Sequence, residues 1–153
     1  MLSDKKWELE VDTNLKAMIR GTFLAFKYMG KDNGGKGGLV INNSSITGLQ
    51  PLAGAPVYST TKHGVLGIAR NFGADFHYNR TCIRVVTICP GVTTTELFSS
   101  VAGNQYNEEW GKEAERDLKS QPPQGNNNNN NIFSYAVYSN TKLKKRNNLK
   151  SKF

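Results

Sequence analysis

Residues 39–64 run LVINNSSITGLQPLAGAPVYSTTKHG, and the reading of this stretch decides the fold. Leu39-Val40-Ile41-Asn42-Asn43 is short and rich in β-branched residues. It follows the glycine cluster Asn33-Gly34-Gly35-Lys36-Gly37-Gly38, so it reads as a strand buried on both faces. The strand ends in Ser44-Ser45. A loop marked by Gly48, Pro51, Gly54 and Pro56 follows, and from Val57 the pattern turns helical. Ser45 stands thirteen positions before Tyr58, and Lys62 stands four after it.

Downstream, Val57, Thr61, Leu66, Ala69, Phe72 and Phe76 give residues 57–78 a broad helical stripe. Gly64, Gly67 and Gly73 each cost a helix about 1 kcal/mol against alanine, so they are expected where another surface comes close. Residues 82–89, Cys-Ile-Arg-Val-Val-Thr-Ile-Cys, read as a second strand ended by Pro90-Gly91. Upstream, Leu15, Ile19, Thr22, Phe26 and Met29 make residues 4–29 a one-faced helix. Asn14 lies near its middle, where asparagine is disfavoured. Helix, strand, helix, strand is the alternation of an α/β fold with a parallel sheet. Two strands do not make such a sheet stable, so further strands are expected from elsewhere.

Residues 104–124 read as a loosely amphipathic helix around Trp110, ended by Pro122-Pro123. From Asn126 six asparagines lead into a basic stretch, so residues 124–153 read as a disordered tail. A strand at 132–138 is the lesser alternative. That tail holds six of the eight net positive charges, which makes the charge a property of the tail rather than of the folded part. Nucleic-acid binding through residues 142–152 is therefore ranked low. Cys82 and Cys89, seven apart in one expected strand, point to opposite faces and do not pair. With His63 and His77 they are too sparse for a metal site. His63 is expected to pack within the helix and His77 to lie at the surface. No apolar run reaches membrane-span length and no signal-like segment follows Met1, so the chain reads as cytoplasmic and reduced.

Tyrosine and lysine at i and i+4 share one helix face. A free phenol has a pKa of about 10, and a neighbouring ammonium lowers it. Lys62 is placed to tune Tyr58 towards an acid/base working near neutral pH, with a strand-end serine bonded to the same reacting oxygen. Such pairs also arise by chance on exposed helices. The strand-end serines, the βαβ context and Pro90-Gly91 are what favour chemistry.

These motifs together resemble the short-chain dehydrogenase/reductase family, nearest to its NAD-dependent 15-hydroxyprostaglandin dehydrogenase branch. The matching text is Trp7, Asn14-Leu15, Gly21-Thr22-Phe23-Leu24, residues 33–38, residues 41–49, Val57 to Gly64, and Ile88 to Gly91. The resemblance covers roughly residues 4–100. It implies part of a Rossmann-type, doubly wound parallel sheet over residues 1–123. It implies Tyr58 as acid/base, Lys62 lowering its pKa and bonding the nicotinamide ribose, and Ser45 orienting the substrate, with Ser44 as its structural neighbour. Asn14 would hold a relay water, and Pro90, Gly91, Thr93 and Thr95 would surround the nicotinamide. The cofactor would be NAD rather than NADP, and the substrate a secondary alcohol or its ketone. Family members form homodimers through the two long helices. Where the prostaglandin branch has a substrate-contacting glutamine, this chain has Ala55.

The family's glycine-rich turn and the acid that holds the NAD ribose are not found in residues 1–153; the Gly30 to Gly38 cluster joins helix to strand, the reverse of a phosphate cradle. The domain is thus expected to be incomplete at both ends and to bind NAD weakly. Micromolar affinity by calorimetry would contradict that. Two functions follow: an oxidoreductase, or a non-catalytic fragment that pairs with an intact relative through its long helices.

Overall fold

The computed structural model describes residues 4–91, 107–120 and 134–138. The first helical rod is α1 (Asp4–Val11), a π-helical segment (Asp12–Lys16) and α2 (Ala17–Met29), running without interruption. In the π segment the Ala17 N–H reaches back to the Asp12 carbonyl. Asn14 sits inside this widened turn, at the place where the α-helical ladder is already broken. The rod ends at Gly30, and a 3-10 turn (Lys31–Asn33) leads to Gly37, whose φ of 77° suits glycine.

Strand β1 (Gly38–Asn43) follows, then a 3-10 turn (Ile46–Gly48), α3 (Pro56–Phe72), α4 (Asp75–Thr81) and β2 (Ile83–Pro90). The last described elements are α5 (Glu108–Ser120) and β3 (Ser134–Tyr138). β1 and β2 are parallel, with Gly38 opposite Ile83 and Asn43 opposite Ile88. β3 runs antiparallel to β2, from Val86 opposite Tyr138 to Pro90 opposite Ser134. The expected α/β alternation with a parallel pair is therefore present. Within the stretch read as a disordered tail, residues 134–138 form the third strand; the rest of that stretch, with Pro122-Pro123, lies outside the described residues.

The helices cover one face of the sheet. Ile68 and Ala69 of α3 meet Ile83 and Val85 of β2, all buried, with Leu15, Met18, Phe26, Met29, Val40 and Phe72 packed around them. β2 alternates accordingly: Ile83, Val85, Thr87 and Cys89 are buried while Arg84 is exposed. The double-sided burial expected for β1 is not found: Leu39 is 46% and Ile41 57% exposed. Both lie on the face that no described helix covers, and among the described strands β1 pairs only with β2.

The helix read as 57–78 breaks at Gly73, which caps α3. The break redirects His77, and both histidines differ from the expectation. His63 lies exposed on α3, while His77 on α4 is half-buried among Phe26, Phe72 and Phe76 at 5.1–5.7 Å between rings. Phe76, read as part of the apolar stripe, is 66% exposed. Of the three helix glycines, Gly64 is the packing one: a Cβ there would lie 2.8 Å from Leu15 Cδ1, whereas at Gly67 it would meet nothing. Cys82 lies outside β2, in the left-handed cap of α4 with φ 54°, and both cysteines are free. No helix among the described residues is long and apolar enough to cross a membrane, and no group of three metal-binding side chains occurs among them.

Candidate active site

The site forms where β1 gives way to α3. Beyond Asn43 the chain turns at Ser44 and Ser45, and Ser44 N–H still bonds the Ile88 carbonyl at 2.9 Å. Ser45 caps the following 3-10 turn, its Oγ accepting the Thr47 N–H at 3.2 Å. Pro56 starts α3 at its first turn, where a missing N–H costs nothing. Tyr58 therefore leaves the helix close to the strand end, where the Ser45 hydroxyl acts on its phenol. Lys62, one turn on, donates from Nζ to the Asn43 carbonyl at 3.3 Å, and the same Nζ lies 5.4 Å from the centre of the Tyr58 ring.

Ser45, Tyr58 and Lys62 are thus brought together at the carboxyl end of a parallel strand. Pro90 ends β2 two residues beyond the Asn43–Ile88 pair, so Pro90 and Gly91 flank the same edge. Asn14 is half-buried in the π segment, which packs against α3 through Leu15 and Gly64. Thr93 and Thr95 lie outside the described residues. A groove lined by Lys16, Ile19, Arg20, Phe23, Leu24 and Lys27 runs along the outer side of α2, away from Tyr58.

Electrostatics differ from the expectation. Burial pushes the Tyr58 phenol above its ordinary 10.0; the Ser45 hydrogen bond pulls it back in part, and Glu10 adds to the rise. Lys62, over the ring and bonded to a carbonyl, adds no lowering to set against that desolvation. Burial likewise depresses the Lys62 ammonium below 10.5, with Cys89 and Glu10 opposing. The Cys89 thiol rises above 9.0 through burial, against hydrogen bonds from Ser44 and Ser45 and the charge of Lys62. Glu10 and Cys89 were not singled out from the sequence. Glu10 could have been: it stands one helical turn before Asn14 and so shares its face. Cys89 carries no such local signal.

The signs give a pH dependence. Unfolded, Cys89 and Tyr58 ionise near 9.0 and 10.0; folded, both hold their protons to higher pH. The unfolded chain then binds fewer protons, and stability falls as pH rises through this window. Lys62 acts oppositely: its contribution is present above 10.5 and is lost as pH falls through its depressed folded value. Urea midpoints measured from about pH 8 to about pH 11 are expected to fall, and Tyr58→Phe is expected to flatten the part of the fall above about pH 10. An unchanged slope in the variant would contradict the burial of the phenol.

Comparison with known proteins decides the family. The model for short chain dehydrogenase matches residues 1–105. The chain belongs to the short-chain dehydrogenase family. The chain is 41% identical over 99 residues to rat (Rattus norvegicus) 15-hydroxyprostaglandin dehydrogenase [NAD(+)], covering 65% of the chain and 37% of that relative. The human (Homo sapiens) protein of the same name is 40% identical over 99 residues, with the same coverage. Alcohol dehydrogenase 2 of Ceratitis cosyra is 38% identical over 127 residues, covering 81% of the chain and 49% of that relative. The chain therefore spans less than half the length of these relatives. Its sheet, with helices on one face, is part of a Rossmann-like domain of that family.

Proposed function

We propose that this chain carries the acid/base centre for NAD-dependent hydride transfer between a secondary alcohol and its ketone. The observation behind the proposal is the convergence of Ser45, Tyr58 and Lys62 at one strand end. NAD, when bound, supplies the hydride acceptor. Lys62 fits a ribose partner: an ammonium has three donors, and one is used on Asn43. Pro90, Gly91, Thr93 and Thr95 would line the nicotinamide end, and Asn14 would support proton relay from Lys62.

In this reading Tyr58 holds a proton at Oη and Ser45 orients the substrate oxygen beside it. Because burial keeps the phenol protonated at neutral pH, donating to a ketone oxygen needs no prior ionisation, whereas accepting a proton from an alcohol does. Alcohol oxidation is therefore expected to speed up through the alkaline range while ketone reduction stays flat there until the phenol ionises. Prostaglandin alcohols are one substrate candidate, and smaller alcohols are favoured equally by the likeness to the Ceratitis enzyme and by Ala55. The test is NADH formation on a panel of secondary alcohols. Equal turnover by the parent chain and by Tyr58→Phe would sink the reading.

A second reading has its own support. Phe23, Leu24 and Tyr28 on α2 and Phe76 on α4 are 46–69% exposed, an apolar surface on the long helices. It suits pairing, either as a homodimer or with an intact relative. Size exclusion of the chain alone and mixed with such a relative is expected to show a dimer; a monomer in both would remove this reading.

A further inference from the structure

The two halves of α3 are held by different forces. In the half that carries Tyr58 and Lys62, three buried hydroxyls tie the helix to its surroundings. Ser44, 4% exposed, donates from Oγ to the Lys62 carbonyl at 2.7 Å. Ser59, 6% exposed, donates to the Thr47 carbonyl at 2.9 Å. Thr87 of β2, fully buried, reaches the Val65 carbonyl at a longer 3.4 Å. Beyond Val65 the helix packs through Ile68 and Ala69 against Ile83 and Val85, and through Phe72 against Phe23 and Phe26.

The distinction has a geometric consequence. Apolar packing tolerates small sliding, because its energy depends on area. A hydroxyl bond to a carbonyl is lost within a few tenths of an ångström, and its buried partner then stays unpaired. Gly48 permits the closest of these ties, since a Cβ there would fall 2.6 Å from Ser44 Oγ and 2.7 Å from the Lys62 carbonyl oxygen.

We propose that Ser44, Ser59 and Thr87 are positioning residues that set the rotation and register of α3 against the sheet, and so aim Tyr58 at Ser45 and Lys62 at Asn43. The consequence for turnover rests on Tyr58 being the acid/base, but the positioning itself is measurable without turnover. The groups that act on Tyr58 are Ser45 from the turn and Glu10 from α1, with Lys62 of its own helix over the ring and Cys89 of β2 beside Lys62.

The test uses the full chain, with amide hydrogen exchange and the titration of Tyr58 followed by carbon NMR and assigned with Tyr58→Phe. In Ser44→Ala/Ser59→Ala, amides 58–64 are expected to exchange about tenfold faster relative to amides 66–72. The Tyr58 midpoint is expected to fall towards the ordinary tyrosine value as the ring gains water. Ile68→Val, a loss at the apolar end, is expected to speed both halves alike and leave the midpoint in place. Should the double variant not fold, each single change and the near-isosteric Thr87→Val are read by the same ratio. Equal acceleration of both halves, or an unmoved midpoint, would overturn the proposal. An absence of dehydrogenase activity would touch neither readout.

Discussion

Tyr58→Phe is expected to lower turnover by about 10²–10⁴-fold, the range a positioned general acid/base contributes. The substitution removes one oxygen and keeps the ring. The half-buried ring continues to pack, and Lys62 keeps its 5.4 Å approach to the ring and its bond to Asn43. What disappears is the proton at Oη and its hydrogen bond to Ser45. Because the loss falls on the transition state rather than on binding, kcat should drop while KM changes little. Steady-state kinetics of both proteins on one alcohol checks this. A loss below tenfold in kcat, or one confined to KM, would assign Tyr58 to substrate packing instead.

Gly48→Ala is expected to cost about 3 kcal/mol, the upper part of the range for forcing a methyl into a packed site. The methyl would meet Ser44 Oγ at 2.6 Å, the Lys62 carbonyl oxygen at 2.7 Å and its carbon at 3.0 Å. Two of these three atoms are backbone in the middle of α3 and yield only if the helix moves. The 3-10 turn Ile46–Gly48 is equally constrained, because the Gly48 N–H bonds the Ser45 carbonyl and Ser59 bonds the Thr47 carbonyl. Urea unfolding of the variant measures the cost. Gly67→Ala on α3, where a Cβ would meet nothing, is the matched control and is expected to be neutral or mildly stabilising. Equal stability of the two variants would show that the turn and α3 are not rigidly joined.

The candidate centre was legible because its signals are local. A spacing of four positions from Tyr58 to Lys62 guarantees a shared helix face, and a β-branched run ending in Ser44-Ser45 places the hydroxyls at a strand end. The place of His77 is not legible because a stripe cannot report that Gly73 ends α3; past that break α4 points His77, not Phe76, towards Phe26 and Phe72. Residues 134–138 were read as tail because the asparagine run and the lysines dominate the composition there, while their pairing with β2 is a contact across more than forty residues. The direction of the Tyr58 shift was misread for a related reason: the charge of Lys62 is visible in sequence, but the water that Tyr58 loses on folding is not.

By itself the sequence determined the α/β order, the parallel pairing of two strands and the candidate set Ser45, Tyr58 and Lys62, since period, spacing and turn residues are properties of neighbours along the chain. Only the tertiary structure decided which face of β1 is covered, where Asn14 fits in its π turn, and that three buried hydroxyls bond the half of α3 that carries Tyr58 and Lys62. Those outcomes depend on which distant surfaces meet and how much water they exclude, and burial of that kind has no signature in any short stretch of residues.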